Sequence, residues 1–200
     1  MFVYLLLGRY ICTVISTRDQ IVQLTDSLIR DQGYNAFSFY DIAQKLKIKN
    51  ASIHYYFPTK TDLGIALLET HTERLRKLQE SVEEKDSLTK IKAFLSIYNT
   101  IYSEGRVCIV GSLATDLKTV EPKMARVLKV FANEILEWVT EILKEGKENK
   151  AFSFAETPRT KALMIITNML AAVQLTRLTN EKDFLIIREN VLAGIVKQKK

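Results

Sequence analysis

Apolar residues recur at three- and four-residue spacing along nearly the whole chain, and strict alternation is nowhere sustained. That periodicity predicts helices and no sheet. The first helix is predicted over residues 17–32. Thr17 with Gln20 reads as a capping box, Ile21, Leu24, Leu28 and Ile29 form the inward stripe, and Gly33 supplies the stop. A second helix over residues 39–46 is capped by Ser38 with Asp41, and sets Ile42, Ala43 and Leu46 on one face. Residues 47–50 are too polar and too short for more than a turn. Residues 51–56 then make a short third helix, with Ile53 and Phe57 turned inward and Asn50, Ser52, His54 and Tyr55 turned outward. Tyr56 fits either the core or the surface. Pro58 ends the helix, because proline disfavours helical backbone at the residue before it.

Thr59 with Asp62 opens a long fourth helix, predicted to reach residue 83 with Leu63, Leu67, Leu75, Leu78 and Val82 as core contacts. Asp86-Ser87 opens a fifth, whose stripe is Ile91, Phe94, Leu95, Tyr98 and Ile101 before Gly105 breaks it. Residues 106–117 (RVCIVGSLATDL) form an apolar sixth segment, with small residues that allow close packing. Glu121-Pro122 starts a seventh helix, traced by Met124, Leu128, Phe131, Ile135, Trp138 and Ile142 and ending near Gly146, followed by a polar connection over residues 147–155. Thr157-Pro158 opens the eighth helix, and Asn180 with Asp183 opens the ninth, which is predicted to reach about residue 197. The fold class is therefore all-α, with about nine helices. Residues 162–173 (ALMIITNMLAAV) are apolar almost all round, and Phe184, Leu185, Ile186, Ile187, Val191, Leu192 and Ile195 crowd the ninth helix. One stripe suffices to face a monomer's own core, so the surplus reads as a two-fold dimer interface or as a helix buried within one subunit.

Composition agrees with this picture. Only 7 glycines and 3 prolines among 200 residues leave few turns, and 47 % apolar content is ample for a core. A net charge of +6 and a pI near 9.2 favour a polyanionic partner such as nucleic acid. Lys197, Lys199 and Lys200 carry part of that charge in a solvated tail. Cys12 and Cys108 have no metal-binding or redox-motif spacing, which suits a reducing cytoplasm, and His54 and His71 stand far apart. No metal, cofactor or catalytic constellation is expected. Residues 2–15 (FVYLLLGRYICTVI) are shorter than the about 20 apolar residues of a membrane span. They also lack the basic start and cleavage site of a secretory signal, and so read as an atypical extension rather than an anchor.

The second and third helices have the proportions of a DNA reader. A helix of this width enters the major groove with its N-terminal residues at the base edges. Asn50 can pair bidentately with adenine, Lys49 can donate to guanine, and Ala51 can touch a thymine methyl. Ser52, the tyrosine hydroxyls and Lys60 suit phosphates. The plainer alternative is a helical interaction module in which Lys49, Asn50 and Lys60 are ordinary solvated residues.

The segment D-I-A-x-x-L-x-I-x-x-A-S-I-x-Y-Y-F-P-x-K-x-x-L, residues 41–63, resembles the helix-turn-helix domain of the TetR family of transcriptional regulators. Ser38 stands for the family's capping threonine, Ile42-Ala43 for its I-A pair, Ile48 for its valine, and Tyr56-Phe57 with Lys60 for its tail. The resemblance implies base contacts from Lys49, Asn50, Ala51 and Ser52, and phosphate contacts from Ser38, His54, Tyr55 and Lys60. Three positions depart from the pattern. Lys47 falls where glycine is usual, Lys49 replaces a capping serine, and His54 replaces a tyrosine.

The resemblance also implies an architecture and a mechanism. A DNA-binding domain over residues 17–63 precedes a ligand-binding and dimerisation domain over residues 64–197, and the last two helices form the homodimer's four-helix bundle. The dimer sits on a palindromic operator, and a small apolar or amphipathic effector relieves repression by tilting the fourth helix. The effector cavity is expected between the fifth, sixth, seventh and eighth helices. Its aromatic lining is taken as Phe94, Tyr98, Tyr102, Phe131 and Trp138, with Cys108, Leu113 and Ile135 beside them. Asn168 and Gln174 supply polar groups. Cys108 is also a candidate sensor of oxidants or electrophiles. The rival from another class is an all-α small-molecule-binding protein or enzyme without DNA binding.

Overall fold

A computed structural model describes residues 15–196. The extension over residues 1–14 with Cys12, and the lysines at 197, 199 and 200, lie outside the described residues. The described chain forms nine α-helices: α1 (Thr17–Gln32), α2 (Phe39–Leu46), α3 (Asn50–Tyr56), α4 (Lys60–Ser81), α5 (Ser87–Ser103), α6 (Ile109–Thr115), α7 (Pro122–Glu148), α8 (Pro158–Leu175) and α9 (Glu181–Ala193). A single 3-10 turn, Tyr34–Ala36, joins α1 to α2. Among the described residues the one strand-like pairing is an isolated antiparallel bridge between Phe152 and Val196.

Local chemistry sets the helix starts. Complete capping boxes open α2 (Ser38, Asp41), α4 (Thr59, Asp62) and α9 (Asn180, Asp183), each satisfying otherwise orphaned N–H groups. Proline at the first turn opens α7 and α8, where its missing N–H costs nothing.

Among the boundaries that differ from the sequence expectation, three have a visible local cause. The cap of α1 is Ser16, not Thr17: the Ser16 hydroxyl accepts the Asp19 N–H at 3.1 Å, so the Ser-x-x-Asp pattern one residue earlier wins. Gly146 does not end α7, which runs on to Glu148. Instead the chain turns back and lays the buried Phe152 ring on that glycine, where an added Cβ would stand 2.0 Å from the ring. Residues 147–155 are therefore partly core rather than only a polar connection. Finally, α9 stops at Ala193, because Ile195 is fully buried and Val196 pairs with Phe152.

Two apolar cores result. The first holds α1–α4 together and continues into α6 and the first half of α7, through Ile109, Leu113, Met124, Leu128 and Phe131. The second joins α5, the second half of α7, α8 and α9. Gly64 lets α4 and α7 cross closely, since a Cβ there would meet the Met124 sulfur at 2.6 Å. Ile21, Ile42, Ile53 and Leu63 are completely buried in the first core. Each side chain of this size contributes about 1.5–3 kcal/mol.

Candidate nucleic-acid interface

The reader is built from short-range bonds. The Ser38 N–H donates to Asp41 Oδ2 at 2.7 Å, which starts α2. At its far end Lys47 adopts left-handed backbone (φ 55, ψ 39), and its N–H returns to the carbonyls of Ala43 and Gln44. The turn usual for glycine is thus made by a lysine, at a steric cost of about 1–2 kcal/mol. Lys49 takes the N-cap of α3 without a side-chain cap bond. Ile53 and Phe57, almost completely buried, fix α3 on the core.

That anchoring leaves Lys49, Asn50, Ala51, His54, Tyr55 and Tyr56 exposed, with Ser52 half-buried. Tyr55 is 82 % exposed. Its ring stands edge-on to Tyr56 at 5.0 Å, and His54 meets Phe39 edge-on at 4.9 Å. Tyr56 thus belongs to the surface. Ser38 is exposed, although its hydroxyl is engaged with Asp41 at 2.7 Å.

Lys60 departs from the outward pose expected of a phosphate ligand. Its ammonium donates to the Phe37 carbonyl and lies 4.0 Å from the Phe37 ring centre and 4.7 Å from that of Tyr34. Burial pushes its pKa down, against the charges of Asp116 and Asp41. The reason is local: Thr59 caps α4, so Lys60 opens that helix directly beside the turn leading into α2.

Behind the reader lies a cavity of about 510 Å³, bounded by α1, α4, α5, α6 and α7. Phe94, Tyr98, Cys108, Phe131 and Ile135 line it as expected from the sequence. The other five candidates do not. Tyr102 stacks on Phe184 with ring centres 4.4 Å apart, and Leu113 is fully buried in the first core. Trp138 faces a separate groove beside α4, while Asn168 and Gln174 sit on the exposed side of α8. The cavity is therefore displaced towards the DNA-reading end and does not reach α8.

Its polar side was not read from the sequence. Asp26 Oδ1 meets Arg30 Nε at 3.0 Å and His71 Nε2 at 2.8 Å, joining α1 to α4. Burial pushes the Asp26 carboxyl up. The His71 hydrogen bond and the charges of His71, Arg30 and Arg74 outweigh it, and the pKa falls below its ordinary value. Arg30 Nη1 and Arg106 Nη1 approach Glu104 Oε2 at 3.8 and 3.5 Å. The one available signal was the i,i+4 spacing of Asp26 and Arg30 flanking the buried Ile29. Tyr98 sits deep in the apolar side, where burial and the neighbouring Cys108 push its hydroxyl well above the ordinary tyrosine range.

Among the described residues no His, Cys, Asp and Glu cluster could hold a metal, and no helix is long and apolar enough to cross a membrane.

Residues 21–67 match the family described as bacterial regulatory proteins, tetR family. The HTH-type transcriptional repressor NemR of Escherichia coli (strain K12) is 20 % identical over 90 % of this chain and 92 % of its own length. A TetR-family transcriptional regulator from Agrobacterium tumefaciens, 24 % identical over 90 % of this chain and 97 % of its own, shares the fold with a TM-score of 0.84. A TetR transcriptional regulator from Legionella pneumophila is 30 % identical, with a TM-score of 0.82 over 92 % of this chain and 100 % of that one. With fold and sequence in agreement across the full length of that last relative, the chain belongs to the TetR family of DNA-binding transcriptional regulators.

Proposed function

We propose that the protein is a homodimeric repressor that occupies a palindromic operator and leaves it when a small apolar or amphipathic molecule fills the cavity. Residues 17–63 are the reading unit and residues 64–197 the regulatory unit. Lys49, Asn50, Ala51 and Ser52 face bases, while Ser38, His54 and Tyr55 face phosphates. Lys60 serves the same backbone contact by holding the Phe37 carbonyl, and with it the start of α2. That a relative is itself named a repressor supports the sense of regulation.

The observation that carries this reading is the double role of α1. It packs against α2 and α3 in the first core, and it also walls the cavity with Asp26 and Arg30. A molecule in the cavity therefore touches the body on which the recognition helix rests. An effector must bind the DNA-incompetent arrangement more tightly, or nothing shifts. The supporting link is α6. Its first residues line the cavity, the Ser112 hydroxyl donates to the Ile29 carbonyl at 2.7 Å, and its C-terminal Asp116 grips the turn before α2.

Dimerisation supplies the second reader. The outer faces of α8 and α9 expose Leu163, Met164, Leu175, Leu185 and Ile186, and Leu178 is exposed in the turn between the two helices. Two copies joined there present two recognition helices, which a palindrome with half-sites one helical turn apart requires.

The test is operator affinity for a duplex selected from a random library, measured by fluorescence anisotropy across a salt series. Binding should weaken steeply as salt rises. Affinity that ignores both salt and duplex sequence would reject the reading.

A further inference from the structure

We propose that the cavity is built for an amphipathic monoanion, a molecule with an apolar body and a carboxylate or similar head seated among Arg30, Arg74 and Arg106. This rests on the reading of the cavity as the effector site and narrows the chemistry of what enters it.

The lining divides by polarity. Phe94, Tyr98, Ile101, Phe131 and Ile135 form an apolar side in a space of about 510 Å³, within the range that holds small ligands. Across from them three arginines face two lining carboxylates, Asp26 and Glu104, while Asp31, outside the lining, reaches Arg106 at 3.9 Å. The two carboxylates are not held alike. Asp26 is locked at 2.8 and 3.0 Å by His71 and Arg30. Glu104 is 43 % exposed and stands 3.5 and 3.8 Å from its arginines, beyond the about 2.7–2.9 Å of a charge-assisted hydrogen bond. Arg74 makes no ion pair among the described residues, yet its charge reaches Asp26. Glu104 is thus a loosely held internal anion on guanidinium groups whose donors are not used up. A ligand carboxylate satisfies them better, and Arg74 supplies the free charge.

A cationic head finds no such place, because the one well-placed carboxylate is already saturated. A neutral head leaves the Arg74 guanidinium without an anion. The head position also matters for control. Arg30 belongs to α1, and Arg106, at 3.9 Å from Asp31 of α1, follows α5. An anion drawing both arginines to itself reworks the contacts between the reading unit and the regulatory helices.

The test is isothermal titration of the full-length protein with decanoate, decanol and decylamine, all below their aggregation thresholds. Decanoate should bind about 10-fold more tightly than decanol, as one added charge-assisted pair allows, and decylamine more weakly than either. Arg74→Gln should bring decanoate to within about 2-fold of decanol while leaving decanol unchanged, and Glu104→Gln should tighten decanoate alone. Decanol binding as tightly as decanoate in the native protein overturns the proposal, as does a preference that survives Arg74→Gln. Ile97→Trp fills the cavity from a half-buried position, and Leu78→Trp replaces it should that variant not fold. Decanol that is blocked by the filled cavity yet binds as well as decanoate leaves the effector site standing and removes the head-group assignment. Ligands indifferent to the filled cavity remove both.

Discussion

Asp116, at the C-terminal end of α6, accepts the backbone N–H of Tyr34 at 2.9 Å, from a residue 82 positions earlier in the chain. Its other oxygen takes Asn35 Nδ2 at 3.0 Å, and Thr119 joins the same amide at 2.7 Å. One half-buried carboxylate thus clamps the turn between α1 and α2 to the helix whose opposite end lines the cavity. Asp116→Ala leaves the Tyr34 N–H without that acceptor and should cost about 1–2 kcal/mol in urea unfolding. It should also shrink the ratio of operator affinities with and without a saturating effector. An unchanged ratio would show that α6 carries no coupling.

The left-handed Lys47 makes a prediction of the opposite sign. Glycine adopts φ 55 without Cβ strain, though it gives up more backbone entropy on folding. The balance should make Lys47→Gly more stable by about 0.5–1 kcal/mol, read as a raised urea midpoint with an unchanged slope. A destabilised variant would mean that the lysine side chain contributes something the backbone geometry does not reveal.

The contrast between these two sites explains what the sequence made legible. Ser38–Asp41, Thr59–Asp62 and Asn180–Asp183 are three residues apart, so their chemistry is written locally and the helix starts could be read directly. Ile53 and Phe57 likewise oriented α3 from spacing alone. The cavity's polar wall depends on His71 meeting Asp26 across 45 residues, and no periodicity says which charged side chains are turned inward. Asn168 and Gln174 failed for a related reason. A helix apolar on more than one face does not declare which of them borders the cavity: Asn168 fell on the exposed side, and Gln174 lies against Gly111 of α6, outside the cavity.

Acid should expose the Asp26 network. Its folded pKa is lowered, so its contribution is fully present above the ordinary aspartate value of about 3.9 and fades as pH falls through the folded value. In that window the unfolded chain binds more protons, and stability therefore rises with pH. Asp26→Asn removes this term, so its stability should depend less steeply on pH in that acid range, while at neutral pH the native protein is the more stable. Parallel pH slopes for the two proteins would exclude Asp26 as a source.

Lys60 separates positioning from contact. A lysine that neutralises a phosphate contributes about 0.9 to the slope of log affinity against log salt. A lysine that only secures the Phe37 carbonyl contributes to affinity and nothing to that slope. Lys60→Ala should therefore weaken operator binding with the slope unchanged. A slope that falls in Lys60→Ala by the full phosphate increment would mean that the side chain swings out to the DNA.

The α8–α9 face makes the remaining prediction, because there the same surface decides assembly and affinity together. Ile186 is 55 % exposed and Met164 42 %, on neighbouring helices, and each costs an isolated subunit little to replace. Buried in a two-fold contact, a charge at either position would be desolvated against its own copy, without a partner. Ile186→Glu should shift the protein from dimer to monomer in sedimentation equilibrium while its thermal melt at low concentration barely moves. Operator binding should fall by orders of magnitude, since one recognition helix reads half a palindrome. A variant that remains dimeric and binds normally would place the two-fold axis on a different face.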